Sequence, residues 1–422
     1  MKIKVTECSY DEVLKIAPYK NAIPKKQSAF FRWLMKTLSK GELKATDFTY
    51  TTENMETIGK DEPCLFLMNH SSFTDLNIAA TLLADRQYHI VMTNDGFVGK
   101  EKLMRSLGCI EARKFITDMP LVKTMKLAVE NLNSSILMYP EASYSFDGSE
   151  TPLPDSLGKF VRLLNIPVVM IKVQGSFLRD PLYNNLQKRK VKTSAVMKCI
   201  IPKADIASLS VKQINELLAE EFHFDYFREQ KAKNIRVCED FRADYLHRAL
   251  YKCPFCKSEG RMLGKGIYIE CGSCKSKVEL TEYGSLKAAN DATKELPFEY
   301  VTDWYQWERE CVKEEIETGT YNMELDVDIM MLVDLKSIYK VGSGHLKHDN
   351  SGFVLEGCDS KLRYTQKPNA CYSLYADYYW YELGDMISIG DGRYQYYCIP
   401  KNQEKAIVAK ARLATEELYK KS

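Results

Sequence analysis

The chain has 422 residues, of which 45% are hydrophobic and 27% are charged, and its net charge at pH 7 is +2. This length predicts more than one domain, with enough apolar residues to form a core in each. The balanced charge argues against a large nucleic-acid-binding surface, and no apolar run approaches the roughly 18 residues that span a membrane. The first residues also lack the apolar core of a signal peptide, so we expect a cytoplasmic protein.

Residues 1–44 form an N-terminal segment whose main feature is an amphipathic helix. Ser28 has the position of an N-cap for a helix over residues 29–38, which is rich in aromatic residues. Arg32, Lys36 and Lys40 recur every four residues and therefore lie on one stripe of this helix. The pattern suits a helix that lies in a membrane interface. A helix packed on its own domain would have the same pattern, and both interpretations stay open.

Residues 45–248 predict an α/β domain, because short apolar runs alternate there with helical stretches. The alternation favours a mostly parallel sheet flanked by helices, with ligands bound at the carboxyl ends of the strands. Residues 180–249 are polar and predict helices. The apolar runs are residues 64–68, 89–93, 135–139 and 166–173, and the helical stretches are residues 76–83, 102–107, 121–132 and 157–164.

A histidine and an aspartate follow the first of these apolar runs. His70 comes directly after the predicted strand, and Asp75 lies five residues later in the first turn of a predicted helix. A carboxylate in that position can fix the tautomer of the imidazole and stabilise the imidazolium that forms when His70 takes a proton. The alternative is a turn histidine beside an aspartate that caps a helix.

Four motifs in register resemble those of the bacterial PlsC-type glycerolipid acyltransferases, which make phosphatidic acid from 1-acylglycerol-3-phosphate. The family carries His-x4-Asp, then Gly-x-[Phe/Ile]-x-x-Arg, then Pro-Glu-Gly-Thr-Arg-Ser, then an apolar stretch that contains Pro. The resemblance covers residues 45–200. The matching residues are Asn69-His70 with Asp75, Gly108 with Ile110 and Arg113, Pro140-Glu141 with Ser145, and Pro167.

The resemblance implies a reaction. An acyl group would move from a thioester, acyl-CoA or acyl carrier protein, to the hydroxyl of a lysophosphatidate-like acceptor in phospholipid synthesis. Such a hydroxyl needs a base of near-neutral pKa, which would be His70, with Asp75 to orient it. Arg113 would bind the acceptor phosphate, because a guanidinium matches phosphate with two parallel hydrogen bonds.

The acceptor site departs from the family pattern. The family's Gly-Thr-Arg is here Ala142-Ser143-Tyr144, so an arginine that helps hold the acceptor phosphate is lost. This loss leaves the identity of the acceptor open and increases the importance of the other cations nearby. The further residues of the expected acceptor site are Gly108, Glu141, Ser143, Lys100 and Lys114.

Residues 249–280 predict a zinc ribbon. Cys253 and Cys256 form one C-x-x-C pair, and Cys271 and Cys274 form another. Two such pairs provide the four thiolates of a tetrahedral zinc site, which would be structural because it has no open position. Disulfides are disfavoured in a cytoplasm, and a redox C-x-x-C needs only one pair.

Residues 281–322 predict a linker and a helix, and residues 323–422 predict a small antiparallel barrel with a terminal helix. Apolar residues alternate with a period of two in 325–333, and short strands follow up to residue 399. Gly390-Asp391-Gly392 predicts a tight hairpin, and residues 403–420 predict the helix. The layout resembles that of a pleckstrin-homology (PH)-like domain. Such modules bind lipid head groups or peptides, but many only pack on their own catalytic domain.

Three functions fit these observations. The first is an acyltransferase that acts as a peripheral protein on the inner face of the cell membrane, with an anionic membrane surface as a partner and no nucleic acid. The second is a lipid- or protein-binding scaffold built on a degenerate acyltransferase domain, which Tyr144 favours. The third is a nucleic-acid-associated zinc protein, which the balanced charge disfavours.

Overall fold

A computed structural model describes residues 2–116, 118–403 and 407–422. The N-terminal elements are strand β1 (Val5–Glu7), helix α1 (Tyr10–Val13) and helix α2 (Ala29–Ala45). Among the described residues, no helix combines the length and the apolar character needed to cross a membrane.

A seven-stranded sheet forms the first half of the molecule. Its strands are β2 (Thr49–Glu53), β3 (Leu65–Met68), β4 (Tyr88–Thr93), β5 (Cys109–Ala112), β6 (Ser135–Met138), β7 (Val168–Gln174) and β8 (Ser194–Ile201). They lie in the order β2-β8-β7-β3-β6-β4-β5. All neighbours are parallel except β7 and β8, which are antiparallel. The predicted α/β sheet is therefore present, but β2 and β8 lie outside the predicted strands, and the expectation of helices alone in residues 180–249 is wrong for β8.

Helices cover both faces of this sheet, because successive side chains of its central strands point to opposite faces. In β3, Phe66 and Met68 pack with α2 and the next helix, α3, whereas Leu65 and Leu67 pack with helices on the other face. The helices of this half are α3 (Thr74–Leu82), α4 (Glu101–Ser106), α5 (Met119–Leu132), α6 (Leu157–Leu164), α7 (Ser176–Arg179), α8 (Lys203–Ile206), α9 (Val211–Phe222) and α10 (Tyr226–Ala232).

A four-stranded antiparallel sheet follows, in the region of the predicted ribbon. Its strands are β9 (Met262–Lys265), β10 (Tyr268–Cys271), β11 (Lys277–Leu280) and β12 (Leu286–Ala288), in the order β12-β11-β10-β9. Helix α11 (Val301–Glu317) connects it to the last sheet. Trp304 of α11 is fully buried and its Nε1 donates to the carbonyl of Lys252, so the ribbon packs directly on this helix.

The C-terminal sheet has seven antiparallel strands and one parallel addition. The strands are β13 (Asn322–Leu332), β14 (Ile338–Asp349), β15 (Gly352–Gly357), β16 (Leu362–Gln366), β17 (Tyr375–Asp377), β18 (Met386–Gly390) and β19 (Gln395–Pro400). Their order is β16-β15-β14-β13-β19-β18-β17, and β1 pairs in parallel with β14. The hairpin at Gly390 joins β18 to β19 as predicted. Closure into a PH-like barrel stays a prediction.

Helix α12 (Val408–Lys421) differs most from its expected surroundings. Residues 408–418 are all buried, and the helix packs on α11 and on β17. A helix that only covered one end of a barrel would keep one face in solvent. Of the predicted helix at 403–420, residues 404–406 lie outside the described residues.

Candidate active site

The carboxyl ends of four neighbouring parallel strands carry the predicted site. His70 follows β3, Tyr139 follows β6, Asn94 follows β4 and Arg113 follows β5. Neighbouring strands lie about 4.8 Å apart, so three strand spacings separate the ends of β3 and β5 by about 14 Å. The long side chains of His70 and Arg113 can therefore face a common substrate from either side.

His70 and Asp75 form a hydrogen-bonded pair at the end of β3. The His70 Nδ1–H donates to Asp75 Oδ2 over 3.2 Å, and the same oxygen accepts from the backbone N–H groups of Ser71 (2.7 Å) and Ser72 (3.0 Å). Asp75 is fully buried at the start of α3, whereas 22% of the His70 side chain is exposed. The pair thus has the predicted geometry, and Nε2 of the imidazole is the atom left for proton uptake.

Burial lowers the pKa of His70 below its ordinary value of 6.5, and the positive charge of Lys114 lowers it further. Asp75 acts in the opposite direction and raises this pKa. The imidazole is therefore neutral at pH 7 and able to accept a proton, which is what a general base requires.

Two tyrosine rings enclose the His70 imidazole. The Tyr139 ring stacks on it with a centroid distance of 4.0 Å, and the tilted Tyr144 ring lies 4.4 Å away. The tyrosine that replaces the family's arginine thus contacts the imidazole itself. Sequence reasoning identified Tyr144 only as a lost cation and did not identify Tyr139, because no local pattern shows that two rings meet around a histidine.

Asn69 and Tyr226 form the floor below His70. The Asn69 side chain donates to the Val173 carbonyl (3.0 Å) and accepts from the Val173 N–H (2.8 Å), so it extends the hydrogen bonding of β3 with β7 by one residue. The Tyr226 hydroxyl accepts from Asn69 Nδ2 (2.9 Å) and from Ser71 Oγ (3.2 Å). Tyr226 was not identified from the sequence, since more than 150 residues separate it from the motif it supports.

Glu141 supports the same turn from the other side. One carboxylate oxygen accepts from the His70 N–H (2.9 Å), and the other accepts from the Thr151 N–H (2.9 Å). Complete burial raises the pKa of this carboxyl to about 8, against the effect of those donors. Glu141 therefore contacts the backbone of the turn that carries His70.

The remaining predicted acceptor residues do not all lie together. Arg113 lies over the Tyr19 ring at 4.9 Å, with one guanidinium nitrogen 3.4 Å from Asp118. Lys114 Nζ lies 3.9 Å from the centroid of the Tyr375 ring, and burial lowers its pKa. Ser143 is buried, and its hydroxyl has no hydrogen-bond partner in the part of the chain that the structure describes.

Gly108 lies away from the carboxyl edge, and Lys100 lies in the connection between β4 and α4. Gly108 precedes β5 and is therefore one strand length from Arg113, at the opposite edge of the sheet. Its φ of +80° is favourable only for glycine, and a Cβ would lie 3.1 Å from the Tyr88 carbonyl, so the turn at this position requires glycine. A role of Gly108 in substrate binding stays a prediction. Lys100 is the last residue of this connection, directly before the first residue of α4.

Comparison with known proteins now identifies the domain. A model of the acyltransferase family matches residues 49–174, from the first residue of β2 to the last residue of β7. Residues 49–174 are an acyltransferase domain. The match contains His70, Asp75, Arg113 and Glu141.

One solved structure similar to this chain is that of the 1-acyl-sn-glycerophosphate (LPA) acyltransferase PlsC from Thermotoga maritima. The likeness covers 45% of this chain and 76% of that one, with 16% sequence identity and a TM-score of 0.37. No curated protein matches the chain.

The C-terminal sheet packs over the carboxyl edge of the acyltransferase domain. The Tyr375 hydroxyl and the Trp380 indole N–H both donate to Asp95 Oδ2, over 2.6 Å and 3.2 Å. The Cys371 thiol lies 2.8 Å from the Phe115 carbonyl. Between this sheet and the segment 113–116 lies a cavity of about 20 Å³, which has room for about one water molecule.

The four cysteines of the ribbon form a candidate metal site outside residues 49–174. Their sulfur atoms lie within 4.8 Å of one another, with 3.6 Å between Cys253 and Cys274 and 3.7 Å between Cys256 and Cys271. These separations exclude disulfides, whose sulfur atoms are about 2.0 Å apart. They fit a tetrahedral ion with metal–sulfur bonds of about 2.3 Å, for which sulfur atoms lie about 3.8 Å apart.

Proposed function

We propose that the protein transfers an acyl group from a thioester, acyl-CoA or acyl carrier protein, to the hydroxyl of a lysophosphatidate-like acceptor in phospholipid synthesis. One observation supports this proposal above the others: a neutral, partly exposed His70 is held by a buried Asp75 at the carboxyl edge of an acyltransferase domain.

The pair supplies the proton transfers that this reaction needs. The acceptor hydroxyl attacks the thioester carbonyl while its proton moves to His70 Nε2, and Asp75 stabilises the resulting imidazolium. The carbon–sulfur bond then breaks, and the imidazolium returns the proton to the departing thiolate. No side chain becomes acylated, so the mechanism does not need a serine or cysteine nucleophile.

A product assay tests the proposal directly. Purified protein is incubated with lysophosphatidate and either acyl-CoA or acyl carrier protein, and lipid products are identified by mass spectrometry. We expect a diacylated product and release of one thiol for each acyl group transferred. Absence of product with both donors and a panel of phosphorylated acceptors would contradict the proposal.

A scaffold without catalysis is the second candidate, and the cover over the site favours it. The 20 Å³ cavity beside Arg113 is too small for a phosphate group, and the Tyr144 ring contacts His70. In the enzyme interpretation, an acceptor phosphate that enters this cavity requires the C-terminal sheet and the segment 113–116 to separate. The same assay separates the two candidates, because a scaffold binds lysophosphatidate without releasing a thiol.

Arg113 is expected to bind the acceptor and not the thioester. Replacing Arg113 by alanine should raise the KM for the phosphorylated acceptor by about ten- to a hundred-fold and leave the KM for the thioester within about two-fold, since the guanidinium meets only the phosphate. Steady-state kinetics with each substrate varied in turn measure both constants. The matched control is Arg162→Ala, which removes an exposed cation from α6. Equal changes in both KM values would contradict a phosphate-binding role.

We also propose that α2 binds the inner face of the cell membrane, as a peripheral contact with anionic lipid. Phe30 and Trp33 are each 59% exposed and Leu38 is 72% exposed, which is unusual for large apolar side chains on one helix. Lys36, Lys40 and Lys44 line an open depression beside them.

One detail of the predicted stripe is wrong. Arg32 is directed toward the protein, where it donates to the Gln27 carbonyl and to Gln87 Oε1. The third cation of the exposed stripe is Lys44 instead. The Phe31 ring is half-buried, so Phe30 and Trp33 are the aromatic residues available to lipid.

Replacing Trp33 by glutamate should weaken binding to anionic vesicles by about ten-fold or more, because it removes an interfacial aromatic and adds a negative charge near the lipid surface. Sedimentation with vesicles that contain phosphatidylglycerol measures the bound fraction, which should also fall with added salt. The control is Leu163→Glu on α6, a leucine that is 48% exposed on the other face of the sheet. Equal binding by wild type and Trp33→Glu would show that α2 only packs on the domain.

A further inference from the structure

Arg412 extends from the middle of α12 to the loop that follows β6, residues 140–146. Its side chain is only 3% exposed. One guanidinium nitrogen lies 3.5 Å from the Tyr144 carbonyl oxygen, and the guanidinium carbon lies 4.5 Å from the centroid of the Phe146 ring. The residue between them, Ser145, donates its N–H to the His70 carbonyl over 3.2 Å. The cation therefore contacts the loop on both sides of its attachment to the catalytic turn.

A buried carboxylate fixes the orientation of this guanidinium. Arg412 Nε donates to Glu416 Oε1 over 3.2 Å. Glu416 also accepts from Arg309 of α11 (2.7 Å) and from Ser373 (2.6 Å). With one edge on Glu416 and one face on the Phe146 ring, the guanidinium has little freedom to rotate, and it transmits the position of α12 to the loop.

The loop needs such a support, because its backbone is strained. Ala142 has a φ of +54°, a left-handed conformation that a residue with a Cβ adopts only where surrounding contacts hold it there. Besides the Ser145 N–H, the loop carries two further groups that contact His70. The Tyr144 ring lies 4.4 Å from the imidazole, and Glu141 accepts the His70 N–H.

We propose that Arg412 is a positioning residue for the acyltransferase site, which holds residues 140–146 against His70 and makes the site depend on α12. The expected effect of Arg412 on the reaction rate rests on the proposed function. The expected effect of Arg412 on the position of residues 140–146 does not. The C-terminal part of the chain then has two roles at the site, because it covers the site and also holds residues 140–146 in position.

Two variants of Arg412 and one control test this proposal. Arg412→Gln removes the charge and the planar face, and Arg412→Lys keeps the charge beside Glu416 but lacks the face that stacks on Phe146. The control is Lys410→Gln, which removes a buried cation two residues away that pairs with Glu259 and Glu315 and has no contact with the loop. Circular dichroism and thermal unfolding verify the fold of each variant.

The first readout is independent of activity. The chain has 6 histidines, so imidazole proton resonances can be assigned by substitution. The rings of Tyr139 and Tyr144 shift the His70 resonances from their usual positions. We expect this ring-current shift to decrease in Arg412→Gln, to decrease less in Arg412→Lys, and to be unchanged in Lys410→Gln. An unchanged His70 resonance in folded Arg412→Gln would overturn the proposal.

The second readout is kinetic. A misplaced catalytic loop should lower kcat by about ten- to a hundred-fold in Arg412→Gln, with the KM for the thioester within about two-fold and partial recovery in Arg412→Lys. If wild type transfers no acyl group while the His70 resonance still depends on Arg412, the proposed function fails and the positioning role stands. If wild type is active and Arg412→Gln keeps its full kcat, the positioning role is wrong.

Discussion

Replacing His70 by alanine should lower the rate of acyl transfer by about two to four orders of magnitude, because His70 is the group that takes the acceptor's proton in the proposed mechanism. The expected loss exceeds that for any other single residue of the site. The measurement is initial thiol release under saturating acyl-CoA and lysophosphatidate, with folding checked by circular dichroism. Transfer at the wild-type rate by folded His70→Ala would show that another group is the base.

Two further variants make this result specific. His345→Ala removes an exposed imidazole from β14, far along the chain from the site, and should keep the wild-type rate. Asp75→Asn should retain the fold, since an amide oxygen can still accept from the backbone N–H groups of Ser71 and Ser72. It should nevertheless lose most of the activity, because an amide cannot stabilise an imidazolium.

The pH dependence should follow from the same pair. His70 accepts a proton only when its imidazole is neutral. Because burial lowers the pKa of His70 below 6.5, the rate should stay constant down to pH 6.5 and fall only at lower pH, where the imidazole becomes protonated. Asp75 raises this pKa, so the residual activity of Asp75→Asn should persist to lower pH than that of wild type. If the rate of Asp75→Asn instead began to fall at a higher pH than the rate of wild type, His70 paired with Asp75 would not be the titrating group.

Replacing Cys271 by serine should remove the bound metal, which we propose is zinc, and unfold the ribbon. Wild type should contain about one zinc per chain, and loss of one thiolate should destabilise residues 253–278 by several kcal/mol, because binding of a structural zinc is a large part of the folding free energy of such a module. Elemental analysis by mass spectrometry gives the zinc content, and thermal unfolding gives the stability.

The control for this variant is Cys238→Ser, which replaces an exposed cysteine outside the four-cysteine group. It should retain zinc and wild-type stability. Metal-free wild type with an intact ribbon, or dependence of catalysis on a metal at an open coordination position, would contradict a structural zinc site.

The parts of the structure that could be predicted from the sequence are those with local signals. His70 and Asp75 lie within one strand–turn–helix unit, and the two C-x-x-C pairs lie within one small sheet. α9 lies in residues 180–249, where the sequence predicts helices, and a capping box at Ser210 marks its start. In each case the deciding contacts lie within about twenty residues of chain.

The parts that could not be predicted depend on contacts between distant residues. All five residues of β2 are exposed, so this edge strand has no apolar pattern. β8 carries Lys198 in its centre and lies in a polar region of the chain, which hides its alternation. Tyr226, Tyr375 and Arg412 reach the site from other parts of the fold, and nothing beside them in sequence indicates what they contact.

The pairing of β1 with β14 has a consequence for synthesis of the protein. Val5 pairs with Ile338, and 333 residues separate Ser337 from the Lys4 carbonyl that it contacts. At about 5 to 20 residues per second, roughly 20 to 70 seconds pass on the ribosome before β1 has its partner strand. During that time the acyltransferase domain and the ribbon emerge from the ribosome, while β1 is already exposed and the C-terminal sheet to which it belongs is not yet made. β1 is only 3 residues long and ends in a glutamate, which makes it a poor template for pairing with the wrong strand.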